Sequence, residues 1–255
     1  VIDSVWEAVA VLLAGVAAGT INAVVGSGTL VTFPTLLACG LPPVLANVSN
    51  NIGLVPGSLS AAVGYRRELA GQRQRVLRLG SASLLGAAVG AVLLLVLPSS
   101  AFDDVVPALI ALGVLLVVFG PLLQRRVAAR AAARGGRGEH GVWWVWPAVL
   151  GTGVYGGYFG AAQGVLLLAI LGIGVDDDLQ RLNGAKNVLA FVANGVAAVV
   201  FLFAAHVDWV VVALIAAGSV IGGQLGSVIG KRLPPLVFRT VIVVVGVVAI
   251  VALLV

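Results

Sequence analysis

Long apolar runs recur from one end of the chain to the other, among them residues 81–97, 105–123, 188–205 and 209–229. About 20 apolar residues in helical form cross the roughly 30 Å of hydrocarbon in a bilayer. In lipid every backbone polar group must be satisfied within its own segment, so runs of this length fold as helices. Only 10% of the 255 residues are charged and 60% are hydrophobic, against about 25% charged in a soluble domain. Too few charges remain to clothe a water-facing surface. The sequence therefore predicts an all-α polytopic protein with the lipid bilayer as its surroundings. The first run, 5–25, has Asp3 and Glu7 at its start instead of a basic leading region. It reads as the first membrane helix and not as a signal peptide.

Several chemistries are excluded early. One cysteine, Cys39, permits neither an internal disulfide nor a cysteine metal cage. The two histidines, His140 and His206, lie far apart near segment ends, and all ten carboxylates also lie near segment ends. No catalytic residue, metal site or cofactor is expected. An integral-membrane enzyme would need a nucleophile with a base, or a metal cluster, inside the membrane, and the sequence offers none.

The two halves repeat. At a spacing of 136 residues Gly28 matches Gly164, Leu30 matches Leu166, Gly86 matches Gly222, and Leu97-Pro98 matches Leu233-Pro234. One residue more brings Asn50 onto Asn187. Such internal similarity marks a duplicated unit. Each unit reads as five helical elements: 5–24, 28–40, 44–65, 76–97 and 102–123, then 143–161, 164–175, 183–205, 209–230 and 235–254. The second of each set is about 12 residues, or about 18 Å at the helical rise; such an element is short or re-entrant. The organisation expected is a first membrane repeat at 1–123, a basic linker at 124–141 and a second membrane repeat at 142–255.

Charge then orients the chain. The net charge of +5 is no nucleic-acid signature, because the 15 basic residues gather in a few connections. If each unit makes five changes of side, all of them fall on one face, leaving Asp3, Glu7, Asp103, Asp104 and Asp208 on the other. Basic loops mark the cytoplasmic side, so the expected location is a bacterial inner (cell) membrane, multi-pass. Five changes per unit invert the second repeat relative to the first. Inverted repeats with short, Gly-interrupted segments point to a secondary transporter with its substrate near the midplane.

The candidate substrate site begins where the short elements start. These are Asn22, Gly26, Ser27, Gly28 and Thr29 in the first half, and Gln163 and Gly164 in the second. Glycine lets backbone approach a ligand, and helix N-termini favour anions. The third element of each unit adds Asn50, Asn51, Lys186, Asn187 and Asn194, polar groups that are costly in lipid unless they face a cavity. Asn47 and Asn183 read as helix N-caps. With no carboxylate inside an apolar run, and Lys186 as the cation nearest a membrane interior, the substrate reads as a small anion.

The stretch Gly26-Ser27-Gly28-Thr29-Leu30-Val31-Thr32-Phe33-Pro34-Thr35-Leu36-Leu37, with Gly40-Leu41-Pro42-Pro43 and Ala46 to Asn51, resembles the TauE/SafE sulfite exporter family. Asn183-Gly184-Ala185-Lys186-Asn187 is similar to the degenerate second copy found in that family. Ser27 stands where the family often has glycine, and the second short element lacks a match for Pro34. The resemblance implies export of sulfite, sulfoacetate or a related organosulfonate by alternating access. An importer or channel for another small inorganic anion is the runner-up, and the oligomeric state is left open.

Overall fold

The computed structural model describes residues 2, 4–132, 142–229, 240, 242–245 and 247. Among them all regular structure is helical: α1 (Val5–Val24), α2 (Thr29–Ala38), α3 (Pro43–Gly64), α4 (Arg73–Val96), α5 (Ser99–Ala132), α6 (Val145–Tyr158), α7 (Gln163–Gly174), α8 (Leu179–Ala204) and α9 (Trp209–Ile229). Helical conformation recurs at 240, 242–245 and 247. Local signals set several starts. Ser4 Oγ accepts the Glu7 N–H at 3.1 Å while the Glu7 carboxylate accepts the Ser4 N–H, a capping box that opens α1. Proline at the first position opens α3.

Five of these helices (α1, α4, the Ser99–Gly120 part of α5, α8 and α9) are long and apolar enough to cross a bilayer. The 22-residue α3 has the length but carries Asn47, Ser49, Asn50, Asn51, Ser58 and Ser60, all buried. Leu85, Val89 and Val92 of α4 and Val210, Ile221 and Leu225 of α9 stand exposed instead. Apolar groups outside and amides inside is the arrangement that lipid as solvent selects. One boundary differs from expectation. Helix α5 runs on to Ala132, so the first part of the expected linker is helical. Residues 133–141, Lys231, Arg232, Arg239 and much of the expected last element lie outside the described residues.

The short helices turn back. The Val142 N–H, just before α6, donates to the Gly174 carbonyl at the end of α7 at 3.0 Å, so α6 and α7 form a hairpin whose two ends meet. Cys39, just past α2, lies near Glu7 in the first turn of α1; partial burial and, secondarily, that carboxylate push its thiol upward. Helices α3 and α8 run antiparallel. Asn183, near the start of α8, donates to the Tyr65 hydroxyl just past α3 at 2.9 Å. Beyond the other end of α8, the Asp208 N–H donates to Ser49 Oγ early in α3 at 3.0 Å.

The fourth and ninth helices pack away from their sequence neighbours: α4 lies against α6 and α8, and α9 against α1 and α3. Small residues permit the approach. Gly86 and Gly90 seat on the α6 backbone from Leu150 to Tyr158, and Gly222 and Gly226 on the α1 backbone from Val16 to Thr20. Ser83 Oγ donates to the Leu189 carbonyl at 2.8 Å, and Ser219 Oγ to the Gly53 carbonyl at 3.0 Å. The same bond thus recurs 136 residues on at both partners. Ser83→Ala and Ser219→Ala are expected to destabilise by similar amounts, about 1 kcal/mol each. Thermal unfolding in detergent measures this, and a neutral result for one alone would break the equivalence.

Candidate functional site: a polar cavity between two broken helices

Helix α1 stops at Val24 because Gly26 takes a φ of 88°, with its N–H bonded back to the Ile21 carbonyl at 2.9 Å. Helix α6 stops the same way: Gly160 has a φ of 75° and its N–H reaches the Tyr155 carbonyl at 3.0 Å. A glycine of positive φ that bonds back into the last turn is a common helix terminator. These two stops are 134 residues apart, whereas the later elements match at 136. An overlay at 136 pairs Gly28 with Gly164, whereas the two positive-φ glycines pair at 134.

The two breaks touch. Gly164 N–H donates to the Gly26 carbonyl at 2.9 Å, and a Cβ on either glycine would collide with the Cα of the other. Side chains from α8 then close the end of α1. The Ala23 carbonyl accepts from Asn183 Nδ2 at 3.1 Å, Lys186 Nζ at 3.3 Å and Asn187 Nδ2 at 3.3 Å, and the Asn22 carbonyl accepts from Lys186 Nζ at 2.9 Å. The last carbonyls of a helix are unpaired and carry partial negative charge, so a cation and amides suit them. In the other half Asn47 Nδ2 donates to the Tyr158 carbonyl at the end of α6 at 2.9 Å. Asn47 and Asn183 are accordingly not N-caps. Pro42 and Asp178 hold those positions, and the two asparagines terminate neighbouring helices from the side.

A cavity of about 30 Å³ opens between the breaks. It is lined by Asn22, Gly26, Thr29, Asn50, Asn51, Gln163, Gly164, Lys186, Asn187 and Asn194, together with Ser58, Phe159, Gly160, Leu54, Ala61 and Ala190. Of the expected site residues only Ser27 and Gly28 stand outside the lining. Ser27 is buried with its hydroxyl unpartnered, and Gly28 presses on the Ala18 backbone. The Gly28 N–H is taken by Asn22 Oδ1 at 2.6 Å. At Gly28 and Gly164 the backbone donors are therefore spent inside the protein, and side chains are what face a solute. Asn50 Oδ1, Asn51 Oδ1 and Gln163 Nε2 are buried without a hydrogen-bond partner. Asn194 Nδ2 donates to Ser58 Oγ at 3.3 Å across the cavity. Lys186 is fully buried and, among the described residues, is the one charged residue in the lining. Phe159 left no polar signal in the sequence; it joins Phe33 and Phe102 in an edge-to-face cluster, with centroids 5.1 and 6.0 Å away. Among the described residues no group of three or more His, Cys, Asp or Glu side chains could hold a metal ion.

Beyond the cavity an ion-pair cluster ties two loops together. Arg75 Nη1 lies 2.6 Å from Asp177 Oδ2, and Arg181 Nε lies 2.7 Å from Asp177 Oδ1. Gln72 Nε2 reaches the Arg181 carbonyl at 3.0 Å, and Arg181 Nη1 reaches the Ala70 carbonyl at 3.1 Å. The run 176–178 reads from sequence as a solvated charge run, and Asp177 departs from that. Partial burial pushes its carboxyl up, but the Arg75 bond, the Asp178 N–H and Arg181 outweigh this and hold it below the usual range. A depressed carboxylate stabilises the fold above its unfolded value, about 3.9, and that contribution disappears as pH falls through the lower folded value. Asp177→Asn is expected to cost about 2 kcal/mol at pH 7, with wild type and variant converging in acid. A thermal-stability profile against pH in detergent reads this; a pH-independent gap would assign Asp177 no such role.

Membrane-crossing helices wrapped around a buried polar pocket are the build of a membrane transporter, and the comparisons with known proteins agree. The chain belongs to the sulfite exporter TauE/SafE family, whose model matches residues 11–253. A probable membrane transporter protein of Haemophilus influenzae is 26% identical over 219 residues, covering 84% of this chain and 81% of its own length. The probable membrane transporter protein ORF9 of a Sinorhizobium species is 28% identical over 220 residues, covering 82% and 78%. The probable membrane transporter protein YfcA of Escherichia coli K12 is 24% identical over 211 residues, covering 82% and 76%. No solved structure matches the chain.

Proposed function

We propose that this protein is a secondary carrier that exports a small sulfur-containing anion, sulfite, sulfoacetate or a related organosulfonate, by alternating access between two inverted repeats. The observation that carries the reading is Lys186: among the described residues, one buried cationic side chain in a cavity otherwise lined by neutral amides, hydroxyls, glycine backbone and a few apolar side chains. A buried charge needs a partner, and an oxyanion offers both the opposite charge and several acceptors. The unpartnered amide of Gln163 adds a donor for such a ligand. The cavity is small, which favours a compact solute.

Inversion of the repeats draws support from the hairpins. The α6–α7 hairpin opens beside Asp177, at the end of α8 that meets the end of α3. The α1–α2 hairpin opens where Cys39 feels the Glu7 charge. The first helix of each hairpin packs against the fourth helix of the other unit. On this reading 1–123 and 142–255 are the repeats, the basic loops face the cytoplasm of a bacterial inner membrane, and no covalent chemistry occurs. The sulfur identity of the anion rests on the family alone.

Purified protein in liposomes, tested by counterflow with sulfite, sulfoacetate, taurine, sulfate and chloride, decides the matter. Saturable movement of sulfite or sulfoacetate is expected. If none of the five moves, the anion-carrier reading fails.

A further inference from the structure

We propose that Lys186 couples the anion to a proton, so that the two cross together; this rests on the anion-carrier reading. The Lys186 nitrogen makes two hydrogen bonds, both to neutral backbone carbonyls, those of Asn22 and Ala23. A neutral amine has two N–H donors, and those two carbonyls take both. An ammonium has three. Among the described residues its third N–H has no acceptor within hydrogen-bond distance and its charge has no ion-pair partner: the ion pairs there lie at Asp177. An oxyanion in the cavity supplies the missing acceptor and the opposite charge at once. Proton and anion therefore each favour the binding of the other, and such coupling is reciprocal by thermodynamic necessity.

Other titratable groups near α8 leave the role to Lys186. Helix α8 packs against α1, α3, α4, α6 and α7. Helix α1 contributes Glu7, in its first turn at the far end from the cavity. Helix α3 contributes none within its length; Tyr65 just past it accepts from Asn183, and Glu68 follows in the same loop. Helix α4 contributes Arg73, Arg75 and Arg78 in its first two turns, Arg75 being bound to Asp177. Helix α6 contributes Tyr155 and Tyr158, and α7 none. On α8 itself Arg181 pairs with Asp177. No carboxylate or histidine lines the cavity.

The cycle balances simply. On the loading side the amine takes up one proton and the cavity one anion, giving an ammonium–anion pair. On the other side the anion leaves and the N–H bond releases its proton. One proton accompanies one anion in the same direction. A monoanion then moves without net charge. A dianion such as sulfoacetate still carries one net negative charge, and an interior-negative potential drives it outward.

The test uses full-length protein in liposomes that enclose a pH-sensitive dye, with the potential clamped by potassium and valinomycin. An inward sulfoacetate gradient is expected to acidify the lumen, at one proton per anion taken up. Lys186→Arg, whose guanidinium does not deprotonate, is expected to lose at least ten-fold of that acidification relative to anion bound or moved. The wild-type measurement stands even if the arginine variant fails to fold. Anion uptake without acidification overturns the coupling alone, as does acidification that persists at wild-type stoichiometry in Lys186→Arg. If none of the five anions above moves, the anion reading falls and this inference falls with it.

Discussion

Replacing Lys186 with glutamine is expected to abolish anion transport while leaving a folded protein. Glutamine keeps an N–H donor for the Asn22 and Ala23 carbonyls that Lys186 now serves, but it removes the one charge in the cavity lining. Deleting one member of a buried charge pair costs about 2–5 kcal/mol of binding, roughly thirty-fold to several thousand-fold in affinity. Lys186→Ala is expected to lose the same affinity and also stability, because two carbonyls at the end of α1 lose a donor. Counterflow rates together with unfolding temperatures separate the two effects. A glutamine variant that transports at wild-type rate would remove the cation from the mechanism.

The second large effect is expected at the point where the two breaks touch. Gly164→Val should fail to yield folded protein, because even a methyl group at residue 164 meets the Gly26 backbone. Overpacking of this kind reaches about 3 kcal/mol when the neighbour cannot move, and backbone cannot swing aside as a side chain does. Gly26→Ala adds the strain of a non-glycine residue at a φ of 88°, about 1–3 kcal/mol more. Gly80→Ala is the control: it is helical, and nothing lies within 4 Å of a Cβ built there. Monodispersity in detergent and unfolding temperature read the outcome. A Gly164→Val protein as stable as Gly80→Ala would mean that the two breaks are not in contact in the folded protein.

Much of this architecture was legible in the residues, and the places where it was not have physical causes. Runs of Leu, Val and Ala announced the helices, because lipid leaves no other fold for them. The polar residues that gather around the cavity stood out because amides are expensive at membrane depth. The register of the repeat was harder. With 34 glycines in the chain, a slide of 136 finds partners easily, and the shift to 134 at the helix breaks shows only in backbone torsion and in bonds such as Gly26 to Ile21. Asn47 and Asn183 resembled N-caps because residue type alone does not say which helix end a side chain will serve. Both close the ends of helices more than a hundred residues away. Asp177 was hidden for the same reason, since its partner Arg75 lies 102 positions earlier.

The way α4 and α9 lie carries a consequence for assembly. Each leaves the segments that precede it and packs on the first helix of a hairpin in the other half of the chain, so among the described residues each half covers the other's first helix. A chain cut after Ala132 would give two mutually dependent pieces, interlocked like clasped hands.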